Sequence, residues 1–89
     1  MTSTSKLAEK VRRALEELSL RHLKVEIESD TGLRVVAVVT SDEFESMDEA
    51  ERQELVWMKL LEKLDDEEQR YVEFVHTMAP SDWEPAHEA

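Results

Sequence analysis

The hydrophobic positions follow two periods along the chain, and the switches between them mark out its elements. From Leu33 to Thr40 the residues run Leu-Arg-Val-Val-Ala-Val-Val-Thr. This short, β-branched apolar stretch reads as a strand covered on both faces. Ser41-Asp42-Glu43-Phe44 then turns the chain, and Leu55, Val56, Trp57, Leu60, Leu61 and Leu64 follow in a helical stretch. A central strand feeding its main packing helix is the organising unit, and the rest of the chain reads as what covers that pair.

Upstream, Leu7, Val11, Ala14, Leu15 and Leu18 make one apolar stripe behind Ser5, a residue with N-cap chemistry. A first helix is expected over about residues 6 to 19, with Lys6, Lys10, Arg13 and Glu17 turned away from the stripe. Leu23-Lys24-Val25-Glu26-Ile27-Glu28 alternates apolar with charged residues, the mark of a strand with one buried face. Ser29-Asp30-Thr31-Gly32 supplies a turn, and Gly32, the single glycine of the chain, accepts a positive φ there. Leu23 to Glu28 and Leu33 to Thr40 are thus expected to form an antiparallel hairpin.

After the second strand, Ser41 caps a short helical turn that points Phe44 and Met47 inward. Asp48 and Glu51 have the spacing of a capping box, which opens a long helix over about residues 49 to 64. Trp57 is read as a core anchor sharing the face of Leu60, Leu61 and Leu64. Asp65-Asp66-Glu67-Glu68 reads as a charged loop, and Tyr71 to Met78 alternates again as a third strand. Ala79-Pro80-Ser81-Asp82-Trp83 turns the chain, with Trp83 starting a last helical turn or covering an edge. The expected organisation is a disordered N-terminus (1–5), one domain (6–83) and a frayed tail (84–89). The fold class is α+β, order α-β-β-α-α-β, with helices on one face of a small three-stranded sheet.

Composition adds mainly exclusions. In 89 residues there is room for one modest core. Cysteine is absent, which excludes disulfides, a thiol nucleophile and a cysteine-ligated metal, and makes the cytoplasm the expected location. No apolar run approaches the length of a membrane span, and the first residues lack the apolar segment of a secretory signal. The net charge of −11 is uneven: residues 1–24 balance at +3 and the remainder at −14. Most of such a surface repels phosphate, so nucleic acid is an unexpected partner, with Lys6, Lys10, Arg12 and Arg13 on the first helix as its one candidate site. His22, His76 and His87 have no partner at metal-site spacing, and the Asp65–Glu68 run lacks the alternating ligands and glycine of a calcium loop. One glycine cannot build a phosphate-cradling loop, and no nucleophile elbow is present. No enzyme activity, cofactor or metal is therefore expected.

With the elements placed, Val38-Val39-Thr40-Ser41-Asp42-Glu43-Phe44 through Glu51-Arg52-Gln53-Glu54-Leu55-Val56-Trp57 resembles the BolA family. That family's pattern runs from a strand ending in Val-Ser through Phe-x-Gly-Leu and Arg-His to Leu-Val-Tyr. Ser41, Phe44, Arg52 and Leu55-Val56-Trp57 match it without a gap, and Thr77-Met78-Ala79-Pro80-Ser81-Asp82-Trp83 is similar to its Thr-Leu-Thr-Pro-Glu-Glu ending. The resemblance spans about residues 7 to 83. It implies a fold related to the type II KH module and a small adaptor that partners a monothiol glutaredoxin, with roles in iron-sulfur trafficking and in stress or transcriptional regulation. The chain departs from the family at three places: Gln53 stands where a histidine follows the arginine, Tyr71 near where a cluster-ligating histidine opens the last strand, and Ser29-Asp30-Thr31-Gly32 where the loop between the first two strands can carry a Cys or His ligand. The Gly-x-x-Gly clamp of nucleic-acid-binding KH modules is also absent.

The expected function is that of a BolA-type binding module for a protein partner, acting as monomer or homodimer. Its candidate surface comprises Arg52, Tyr71, His76 and Trp83, and Arg52 is equally readable as a structural residue paired with a nearby acid. The alternatives are an acidic chaperone of the secretion type, which requires an exposed apolar patch, and weak nucleic-acid binding through the basic first helix.

Overall fold

The computed structural model describes residues 5–31 and 34–83, less the side chain of Trp83. Helix α1 (Lys6–Glu16) begins where Ser5 Oγ accepts the Ala8 N–H at 3.0 Å. The Ser5 N–H in turn donates to Asp30 Oδ2 at 2.8 Å, which ties the start of α1 to the end of the first strand. Val11, Ala14, Leu15 and Leu18 are buried as the stripe requires, and Ala8 joins them. The helix stops three residues short of the expected Ser19, and Leu18 is buried beyond its end.

Strand β1 (Lys24–Asp30) pairs antiparallel with β2 (Val35–Thr40), as the hairpin reading requires. The pairing runs further than the alternation suggested: Ser29 and Asp30, expected in the turn, oppose Val36 and Val35 beyond a register shift after Ile27. Leu33 and Gly32 lie outside the described residues. The third strand, β3 (Val72–Met78), lies parallel to β2, which puts β2 in the centre of a sheet ordered β1-β2-β3.

The expectation that β2 is covered on both faces is corrected. Val35, Ala37 and Val39 are buried, whereas Val36, Val38 and Thr40 on the other face are partly exposed. Among the described residues helices lie on one side alone, and a shortest principal extent of 19 Å accommodates a sheet and one helical layer.

A parallel pair needs a crossover, and α2 (Glu49–Lys63) supplies it. Ser41 Oγ accepts the Glu43 N–H at 3.1 Å to start a 3₁₀ turn (Asp42–Ser46), which buries Phe44 completely. Asp48 and Glu51 then form the expected capping box, each side chain bonded to the other's N–H. Val56 and Leu60 enter the core with the C-cap Leu64, and Trp57 packs against it partly buried. Leu61 does not share that face: it is 55% exposed, because residues one apart on a helix point in different directions.

The acidic run is corrected too. Asp65 and Glu68 form a second capping box, and α3 (Asp66–Arg70) occupies what read as a loop. A last turn, α4 (Pro80–Trp83), starts with proline at the first helical position. The expected tail, 84–89, and residues 1–4 lie outside the described residues.

Candidate functional site

Arg52 stands one turn into α2, and most of its guanidinium is committed to the fold. Its Nε donates to the carbonyls of Phe44 and Met47, each at 3.1 Å, and Nη2 donates to Phe44 O at 2.7 Å. Nη1 reaches Thr77 O on β3 at 3.2 Å and Asp82 Oδ2 on α4 at 3.1 Å. The side chain is 13% exposed and lies over the Phe44 ring, 5.6 Å from its centroid. One fork thus joins the 3₁₀ turn, the end of β3 and α4, a geometry that lysine cannot reproduce. Asp82 also accepts the Ala79 N–H at 2.7 Å; that bond first, and then Arg52, holds its carboxyl below the usual carboxylate range.

The neighbouring Gln53 donates from Nε2 to Val75 O at 2.9 Å. Arg52 and Gln53 therefore cap two successive outward carbonyls on the free edge of β3, a position where an uncovered strand would invite pairing.

The helix-free face of the sheet carries Val36, Val38 and Thr40 from β2, opposite Phe74, His76 and Met78 of β3. Phe74 is 42% exposed, its ring edge-on to His76 with centroids 4.6 Å apart. His76 Nε2 lies 3.4 Å from Glu28 Oε1 on the far strand, an ion pair when the imidazole is protonated. Beside them a groove of about 360 Å³ is lined by Glu49, Arg52, Phe74, His76, Met78 and Asp82, with Thr77. Thr77 Oγ1 is buried and lacks a hydrogen-bond partner among the described residues.

The structure thus brings Arg52 and His76 to one groove, and it separates Tyr71 from them. Tyr71 is the C-cap of α3, five residues back along the chain from His76 and so about 16 Å away by strand rise. Trp83 ends α4, next to Asp82 of the groove; its side chain lies outside the description. Phe74 was not among the candidates from the sequence, although it shares the face of His76 by simple alternation.

The basic first helix is less basic than its sequence. Lys10 Nζ binds both oxygens of Glu68 at 2.9 Å, Arg12 is clamped between Glu9 and Glu16, and Arg13 lies 3.4 Å from Glu9. The Arg12 bond draws the Glu9 carboxyl below its ordinary range, and the Asp65 N–H, followed by Lys10, does the same for Glu68. Of the four residues proposed for nucleic acid, Lys10, Arg12 and Arg13 face carboxylates of their own chain, which lowers the field a phosphate would meet. The exposed apolar residues that a chaperone requires are present in Met58, Leu61 and Phe74. Among the described residues no group of three His, Cys, Asp or Glu could hold a metal, and no helix is long and apolar enough to cross a membrane.

No family model matches the chain, and no curated protein matches it. Solved structures do. BolA1 from Arabidopsis thaliana is 25% identical, with a TM-score of 0.55 over 88% of this chain and 96% of that one. The chain is BolA-like. A Bol-like protein from Babesia bovis is also similar, at 22% identity and a TM-score of 0.49 over 98% of this chain and 96% of that one; the identification rests on the Arabidopsis likeness.

The residues that stand where the family resemblance places histidines do not suit an iron-sulfur cluster. The phenol of Tyr71 and the amide of Gln53 are poor ligands for soft iron, which prefers thiolate or imidazole. Gln53 already donates its amide to Val75 O, and the chain has no cysteine to substitute for either residue.

Proposed function

We propose that this BolA-like chain is a non-enzymatic adaptor that binds a protein partner through the uncovered sheet face and the groove along β3. The observation that carries the reading is Phe74: a large aromatic, 42% exposed, stands on a face where Val36, Val38 and Met78 add further apolar surface. Aromatic anchors of this kind dominate binding energies at protein interfaces. Recognition is by side chains and not by strand addition. Two outer carbonyls of β3, those of Val75 and Thr77, are already capped by Gln53 and Arg52, and the other edge strand, β1, carries a register shift and exposed charges. Arg52 supports this surface from below and Asp82 borders it, their hydrogen bonds committed within the chain in a way that suits a scaffold better than a catalyst.

A monothiol glutaredoxin is the first partner to test, since the family resemblance implies it, with iron-sulfur trafficking or stress regulation as the setting. The contact is read as protein to protein, without a cluster held by this chain. Calorimetric titration of the purified protein with a monothiol glutaredoxin is expected to give a complex, and Phe74→Glu to weaken it at least about tenfold. Absence of binding to the wild-type chain overturns the choice of partner. Binding that ignores Phe74→Glu overturns the choice of surface.

A further inference from the structure

We infer that the outward face of α2 is a second docking surface and that its occupant is a basic amphipathic helix of another protein. Leu55, Met58 and Leu61 stand three residues apart, so they form one oblique ridge along the helix. Met58 is 63% exposed and Leu61 55%, and the ridge meets the core at the partly buried Leu55. Met47, from the segment leading into α2, continues the ridge; with Glu51, Glu54, Leu55 and Met58 it lines a groove of about 290 Å³. A ridge of residues three apart packs into the groove between residues four apart on a second helix, at about 20° to its axis. Two methionines give such a surface the adaptable, polarizable side chains that helix-binding grooves favour.

Charge selects the kind of helix. The exposed acids Glu51, Glu54 and Glu62 interleave the ridge. Of the cations of α2, Arg52 points into the fold and Lys63 lies 3.1 Å from Glu17; Lys59, between Glu17 at 4.0 Å and Glu62 at 3.3 Å, offsets part of the Glu62 charge and leaves Glu51 and Glu54 as the acids without a basic partner on α2. An apolar ridge with a negative rim is complemented by an apolar stripe flanked by Lys and Arg. A second copy of this chain is a poor occupant, because a symmetric contact sets the same acids against each other in a molecule of net charge −11. An anionic membrane is disfavoured for the same reason. The 15 residues of α2 extend about 22 Å, so the matching segment is a helix of about four turns.

The probe is a synthetic Leu/Lys amphipathic peptide of about four turns, set against a scrambled peptide of identical composition. Fluorescence anisotropy measures binding to the full chain, and amide chemical shifts locate it. The amphipathic peptide is expected to bind at least about tenfold more tightly than the scrambled one, with shifts concentrated between residues 47 and 62. The double variant Met58→Lys, Leu61→Lys alters exposed positions and is expected to fold and to lose at least about tenfold in affinity, while Phe74→Glu retains it. Equal binding of both peptides, or shifts away from α2, overturns the proposal by reducing it to general charge attraction. A dimer in sedimentation that the double variant dissociates also overturns it, by making a second copy the occupant.

Discussion

On the helix side of β2 stand Val35, Ala37 and Val39, all fully buried; on the opposite side of the same strand stand Val36 and Val38, partly exposed. Residue type does not distinguish the two faces. What distinguishes them is the cover: α1 and α2 on one side, and on the other a pair of polar side chains, Glu28 and His76, that meet across the central strand. An apolar strand therefore certifies a buried face only when a second element is available to lie on it, and this chain has helices enough for one side. The residual apolar surface, with Phe74 at its edge, is where the proposed partner would gain most by contact.

The largest effect is expected where the covered face is tied together. Arg52→Met removes donors to Phe44 O, Met47 O and Thr77 O and should cost about 2–3 kcal/mol, measured as a shift of the urea midpoint. Arg52→Lys keeps the charge but loses the fork and should recover less than half of that loss. A full recovery would mean that charge alone holds the junction. The comparison sharpens within β2 itself: Val39→Ala should cost about 2 kcal/mol, as a buried truncation does, and Val38→Ala less than about 1 kcal/mol. Equal losses at the two positions would mean that both faces are covered in solution and would remove the basis for a docking face.

The parts legible in the sequence were those encoded within a few residues. Ser5, Ser41 and the Asp48–Glu51 box announced three helix starts, because a cap and its N–H groups are neighbours in the chain. The same spacing recurs in Asp65 and Glu68, yet no apolar stripe follows that cap to mark a helix. What depends on distant partners was hidden. Arg52 finds its carbonyl on Thr77, 25 residues away, and nothing local specifies that bond. The register shift between Val35 and Val36 opposes Val72 and Phe74 to adjacent residues, so they take opposite faces despite their even spacing; unbroken alternation had given Phe74 no separate meaning. Leu61 is a simpler case: its hydrophobicity is visible in the sequence, but its direction on the helix carries it to the exposed side.

The smallest expected effect tests the junction where the two faces meet, at Asp82. Its folded carboxyl is held below the ordinary range by the Ala79 N–H and by Arg52. A carboxylate with a depressed folded pKa contributes stability that is complete above its unfolded pKa, near 4, and that disappears as pH falls through the folded value. Glu9 and Glu68 are shifted in the same direction, so their share is lost over the same acid window. Stability should therefore decline from about pH 4 downward, with no contribution from these groups to any change between about pH 6 and 8. Because Asp82 is partly exposed, its own part is at most about 1 kcal/mol. Asp82→Asn should lower the urea midpoint slightly at neutral pH and reduce the slope of stability against pH on the acid side. An unchanged acid slope would show that Arg52 holds the covered face through the backbone carbonyls alone, and that the ion pair at the rim of the groove is incidental to it.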